Sequence, residues 1–160
     1  MNKFNLQRGF SRIVFLHYWL PLAAWWFVMQ CFSTDTFSAG ETSKYFIPVL
    51  HFFFPGMSAS AIEFWHFVFR KASHVTEYFI LGALALRAFG HDQPSRLRAA
   101  LVTLLFVLLS ASGDEVHQTL PRYRTGMIGD VGYDALGGLA ALYLFARKAS
   151  SSMRKADETP

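Results

Sequence analysis

Residues 13–32 read IVFLHYWLPLAAWWFVMQCF, 20 positions without an Asp, Glu, Lys or Arg. As a helix, about 20 such residues cross a hydrocarbon core of roughly 30 Å. His17 and Pro21 interrupt the run, while Trp19, Trp25 and Trp26 suit the boundary between lipid and water. A cleaved secretory signal is the rival reading, but the run is too long for one and no small-x-small site follows closely. Cys31 fits a lipoprotein signal poorly, because Met29 and Gln30 stand ahead of it. The stretch therefore reads as an uncleaved first span.

The whole chain of 160 residues agrees with that start. Hydrophobic residues make up 52% and charged residues 16%, against about 25% charged in an ordinary soluble domain. The apolar fraction excludes a disordered chain, and the shortage of charge argues against a free-standing soluble enzyme. One cysteine excludes an intramolecular disulfide framework and a Cys-rich zinc site. The net charge of +4 comes from Lys and Arg placed between apolar runs. No long basic stretch is interleaved with stacking aromatics, so the charge reads as positive loops beside a membrane and not as a nucleic-acid surface.

Further along, Ser33 to Lys44 reads as a polar loop, and Tyr45 to Phe54 is apolar but too short to cross. Pro48 and Pro55 punctuate it. Ser60, with Glu63 three residues on, makes a capping-box signature for a helix start. The aromatic run that follows, to Phe69, suits a segment lying in the interface. Ser73 to Phe89 reads as a second span marred by His74, Glu77 and Arg87. Ala99 to Gly113 is uncharged and reaches spanning length only by taking in Asp114 and Glu115. Gly126 to Ala146 is a fourth span carrying Asp130 and Asp134, with Gly137 and Ala141 as a small-xxx-small pair.

The expected fold is all-α and a single domain over 1–160. It is a four-helix transmembrane bundle with spans at about 13–32, 73–89, 99–118 and 126–146. An additional interfacial amphipathic segment, about 45–70, lies between the first and second spans, and a frayed polar tail follows at 147–160. With the N-terminus in the cytoplasm, ten Lys and Arg fall inside (Lys3, Arg8 and Arg12 among them) and five outside. The positive-inside rule favours this orientation, in the plasma membrane with both termini cytoplasmic. It gathers Glu77, Asp114, Glu115, Asp130, Asp134, His74 and His117 with Arg70, Lys71, Arg122 and Arg124 in one outer layer. Isolated charges inside a bilayer are costly, so such a layer must pair internally or line a wet cavity.

Four constellations in that layer can carry chemistry. In Arg70-Lys71-x-x-His74-x-x-Glu77-Tyr78, helical spacing puts Lys71, His74 and Tyr78 on one face with Glu77 beside His74. A carboxylate beside an imidazole orients a general base. In Asp114-Glu115-Val116-His117-Gln118, the acids would hold a catalytic water or a hard divalent cation through oxygen. No zinc spacing such as His-Glu-x-x-His is present, and no cofactor is expected. Arg122 and Arg124, with Arg70 and Lys71, offer bidentate and point-charge donors for a phosphate oxygen. Salt bridges from those arginines to Asp114, Glu115 and Asp130 account for the same residues without any ligand. Asp130 and Asp134, one turn apart, form a like-charge pair.

Read in order, these blocks resemble the VanZ-like family. The residues that carry the resemblance are Lys71, His74, Glu77, Tyr78, Leu81 and Gly82, then Asp114, Glu115 and Gln118, then Arg124 and Gly126, then Asp130 ahead of a glycine-rich last helix. The resemblance runs from about Trp19 to Ala146. It implies a small four-span membrane protein, and the founding member is associated with low-level resistance to the glycopeptide antibiotic teicoplanin. The aromatic insert at 45–69 is outside the family's core pattern. The functional expectation is an outer polar site that engages a phosphate-bearing envelope lipid or a peptidoglycan precursor. Arg70, Lys71, Tyr78, His117, Gln118, Arg122 and Arg124 would bind. His74, Glu77, Asp114, Glu115 and Asp130 would orient groups or move protons. A membrane hydrolase or transferase acting on such a headgroup, and a non-catalytic structural or partner-binding module, are the alternatives.

Overall fold

The structure is a computed structural model of the chain and describes residues 12–34, 38–92, 95–119 and 128–157. All regular elements among the described residues are helical. They are α1 (Arg12–Phe32), α2 (Ala39–Phe53), α3 (Ala59–Asp92), α4 (Arg96–Thr119) and α5 (Ile128–Asp157). Within α1, Phe15–Trp19 is a π-helical turn, closed by the Leu20 N–H on the Phe15 carbonyl. It lies just ahead of Pro21, whose ring removes a helical donor and crowds the preceding turn.

The expected polar loop at Ser33 to Lys44 is in part helix. Ser38 caps α2, its Oγ accepting from the Glu41 N–H at 3.4 Å, and the helix then continues through Pro48 to Phe53. The expected interfacial segment also differs. Its second half is not a separate element but the start of α3, one helix of 34 residues that runs on through the expected second span. No glycine or proline lies between Phe69 and Ser73 to end a helix there. The cap of α3 is Ser58, which accepts from the Ala61 N–H at 3.3 Å; the expected Ser60–Glu63 box falls inside the helix. Likewise α5 continues to Asp157, so the tail expected to be frayed is helical over most of its length. Alanine, lysine and arginine there are good helix formers.

α2 and the first third of α3 form an antiparallel hairpin. Thr42 Oγ1 and His66 Nε2 are hydrogen bonded at 3.1 Å, and the Phe46 ring lies 5.3 Å from that of His66 and 5.1 Å from that of Phe69. The remainder of α3 is the hub of the bundle, packed against α5, α4 and α1. The core between them holds Leu22, Met29, Tyr78, Leu81, Val107 and Ala111. The α3–α5 crossing depends on missing side chains. A Cβ on Gly137 would strike the Val75 carbonyl and the Phe79 nitrogen, both backbone, and one on Gly138 would strike Val107. The small-residue motif read at Gly137 and Ala141 is thus a close backbone approach.

Two helices, Arg12–Phe32 and Arg96–Val116, are long and apolar enough to cross a membrane. Only 11% and 28% of these stretches is buried inside the protein, which sets them apart from the core helix of a soluble fold. α3 and α5 are less apolar, since Lys71, His74, Glu77 and Arg87 sit on one and Asp130 and Asp134 on the other. Two of the four expected spans therefore stand on length and composition, and the other two do not.

Candidate functional site

The antiparallel run of α1, α3, α4 and α5 brings four helix regions to one level: the end of α1, the stretch 71–78 of α3, the end of α4 and the start of α5. Polar residues concentrate there. Lys71 Nζ is paired with Asp130 Oδ1, and the same ammonium lies 5.1 Å from the centre of the Tyr133 ring and 5.3 Å from that of Phe67. One turn deeper, His74 Nδ1 lies 3.0 Å from Asp134 Oδ1. An ionised carboxylate only accepts, so with Asp134 ionised the Nδ1–H of His74 donates to it. Asp130 and Asp134 are four apart on α5 as Lys71 and His74 are three apart on α3, so the Lys71–Asp130 ion pair and the His74–Asp134 contact stack as rungs between the helices.

The α4 acids come in from the side. Asp114 Oδ1 accepts from the Ser33 hydroxyl at the end of α1. Glu115 is buried, and its Oε1 has no hydrogen-bond partner among the described residues; the same holds for Asp134 Oδ2 and Thr103 Oγ1. Glu115 lies within electrostatic reach of Asp130, Asp134, Asp114 and His74. Tyr78, almost wholly buried, lies within reach of Asp114, Asp134, Glu77 and Glu115. The Trp25 indole N–H donates to the Glu77 carbonyl oxygen at 3.0 Å, pinning α1 to α3 at this level. The chamber so formed is buried and rich in carboxylates, and Lys71 and His74 are its closest bases.

A second, smaller polar level marks the other end of the bundle. There Arg87 donates to His17 Nε2 at 2.6 Å and lies over the Tyr18 ring. Tyr18 also packs against His91, with ring centres 4.5 Å apart.

The VanZ/LLP1 family model matches residues 15–149, which takes in every helix of the bundle. The chain belongs to the VanZ/LLP1 family. Neither a curated protein nor a solved structure matches it.

In this VanZ/LLP1 chain, Lys71, His74, Tyr78, Asp114, Glu115 and Asp130 of the sequence-derived site converge at the one level. Glu77 and Arg70 lie on the same stretch of α3, both half-buried. One expectation about roles changes: the carboxylate that orients His74 is Asp134 of α5, 60 positions away, and not Glu77 on its own helix. His74 faces α5 across the helix crossing, which places Asp134 directly opposite its ring. His117 and Gln118 fall in the last turn of α4, but their side chains lie outside the described residues, as do Arg122 and Arg124 entirely. Among the described residues no group of three or more His, Cys, Asp or Glu is arranged to hold a metal ion.

Sequence reasoning left Ser33 and Trp25 out of the site, and Asp134 appeared only as a neighbour of Asp130. The four-residue spacing of Asp130 and Asp134, matched against Lys71 and His74, was the available signal for Asp134. Ser33 carried none, since a serine after an apolar helix has no distinguishing pattern.

Proposed function

We infer that this VanZ/LLP1 chain is a plasma-membrane protein with four spans and both termini in the cytoplasm, whose outer polar chamber binds the headgroup of a phosphate-bearing envelope lipid or peptidoglycan precursor. The observation that carries this reading is the Lys71–Asp130 ion pair stacked on the His74–Asp134 contact, beside carboxylate oxygens on Glu115 and Asp134 with no partner among the described residues. Buried polar atoms are rarely left unsatisfied, and each costs about 1–3 kcal/mol when they are. A bound group that brings donors relieves that cost.

The chemistry of the chamber constrains the headgroup. The phosphodiester of a lipid has only acceptors at neutral pH and would meet repulsion from four carboxylates. It belongs on the basic side, with Lys71 and Arg70, and the sequence offers Arg122 and Arg124 as further donors. The unpartnered carboxylate oxygens then take hydroxyl or ammonium donors next to the phosphate. Headgroups that combine both, such as a sugar-bearing pyrophosphate lipid, satisfy the two halves together; phosphatidylglycerol satisfies them only in part.

The test is binding of purified protein to a pyrophosphate-linked peptidoglycan precursor, with phosphatidylglycerol as comparator. The paired substitution Arg122→Ala/Arg124→Ala is expected to weaken the first at least tenfold. Equal affinity in wild type and variant overturns the reading. Altered teicoplanin susceptibility on overproduction is the corresponding cellular expectation.

A hydrolase or transferase is the second reading, and the His74–Asp134 pair favours it. An imidazole held by a buried carboxylate keeps Nε2 poised to take a proton. Turnover of a labelled precursor that disappears in Glu115→Gln and His74→Gln, with binding retained, separates catalysis from binding alone.

A further inference from the structure

We propose that the α2–α3 hairpin is immersed in lipid, so that the polar chamber sits inside the hydrocarbon layer beneath it. This goes beyond the proposed function and rests on its reading of α1 and α4 as spans.

The first observation is continuity. α3 is one helix from Ala59 to Asp92, so its aromatic first third cannot lie flat on the surface while the remainder crosses. The second is what that third exposes. Phe64, Trp65, Phe67 and Phe69 are 49–58% exposed. At 100° per residue they spread over about 200° of the helix circumference, and His66 and Phe69 meet Phe46 of α2. On α2, Tyr45, Val49, Phe52 and Phe53 are 55–80% exposed. A docked protein or second copy covers one face. Large apolar side chains exposed on both helices, and around most of the α3 circumference, are what lipid covers. Between Lys44 and Arg70, Glu63 is the only Asp, Glu, Lys or Arg.

The third observation is length. From Arg87, in the polar level at one end, to Ala59 at the hairpin tip is 28 residues, about 42 Å of helix. That matches the roughly 40–45 Å of a whole bilayer, headgroups included. With Arg87 at one edge of a hydrocarbon core of about 30 Å, the other edge falls near Phe67. Trp65 then lands in the interface, where tryptophan is enriched, and Glu63 lands among the headgroups. His74 and Lys71 fall about 10 and 6 Å below that edge. α4 also exposes leucines, Leu101, Leu105 and Leu109.

The chamber walled by α1, α3, α4 and α5 then lies within the hydrocarbon layer and not among the headgroups.

Single nitroxides on a Cys31→Ser background, in vesicles, measure this directly. Labels at Trp65→Cys and Phe67→Cys are read for collision with oxygen and with a water-soluble nickel chelate. Leu105→Cys in α4 is the lipid reference, and Ser95→Cys, in the α3–α4 connection, is the aqueous one. The expected result is oxygen collision exceeding nickel collision at both hairpin positions, with position 67 deeper than 65 and nearer to the Leu105 reading. Nickel accessibility like that of Ser95 would overturn the proposal, as would protection from both reagents, which means a protein partner. If Leu105 itself reads as aqueous, the spanning assignment has failed instead. Should the labelled chains not fold, quenching of native Trp65 by bromolipids in a Trp19→Phe/Trp25→Phe/Trp26→Phe chain gives the same depth. Strong quenching supports immersion and none refutes it.

Discussion

Asp134 is the residue on which the chamber turns. It is fully buried, and its carboxylate holds the His74 ring with one oxygen while the other has no partner among the described residues. Breaking a buried pair by removing one member typically costs about 3–5 kcal/mol, whereas replacing both members with apolar groups is often neutral. Asp134→Leu alone is therefore expected to lower the thermal midpoint in detergent sharply, and His74→Leu/Asp134→Leu to recover most of the loss. Headgroup binding should not recover with it. A double variant that regains stability and binding together shows that the pair is structural only. A smaller effect is expected at Trp25, whose indole donates to the Glu77 carbonyl. Trp25→Phe should cost about 1 kcal/mol, the net value of one such bond, in the same thermal assay. The sequence showed the charged residues of this chamber because charge inside an apolar run stands out against its neighbours. It did not show which acid meets which base. Glu77 is nearer to His74 in sequence, but pairing follows the helix crossing, which a single chain of letters does not display.

At the scale of elements, the α3–α5 crossing is the tightest contact in the bundle, and glycine makes it. Gly137→Ala forces a methyl group into the backbone of Val75 and Phe79, neither of which can step aside. Overpacking of this kind costs about 1–3 kcal/mol, and here it also pushes apart the helices that carry Lys71–Asp130 and His74–Asp134. Gly132→Ala, with open space around it, should be neutral or slightly stabilising, because alanine favours helix over glycine by about 1 kcal/mol. Urea or thermal melts of the two variants make the comparison. The Gly137 and Ala141 motif was legible in the sequence as small residues one turn apart. The extent of α3 was not. Ser73 begins a stretch of span-like composition, so a boundary there was natural, but nothing between Phe69 and Ser73 stops a helix, and propensity carried it through. The opposite happened at residues 39–44, where Ser, Thr and Gly read as loop and the Ser38 cap, with the contact between Thr42 and His66, holds a helix together.

For the molecule as a whole, the decisive features are an outward-facing apolar surface and a buried polar level. A soluble fold reverses that arrangement. The protein should stay with the membrane pellet after alkaline carbonate washing, and release into the supernatant would contradict spanning helices. The central claim is that α1, α3, α4 and α5 bring their polar ends to one shared chamber. Disulfide cross-linking in native membranes tests this most directly, on a chain with Cys31→Ser. The pairs Lys71→Cys/Asp130→Cys and Ser33→Cys/Asp114→Cys are expected to cross-link readily, and Ser33→Cys/Arg87→Cys, which joins the two opposite polar levels, is not. Cross-linking of the last pair, with the first two unlinked, would contradict the shared chamber.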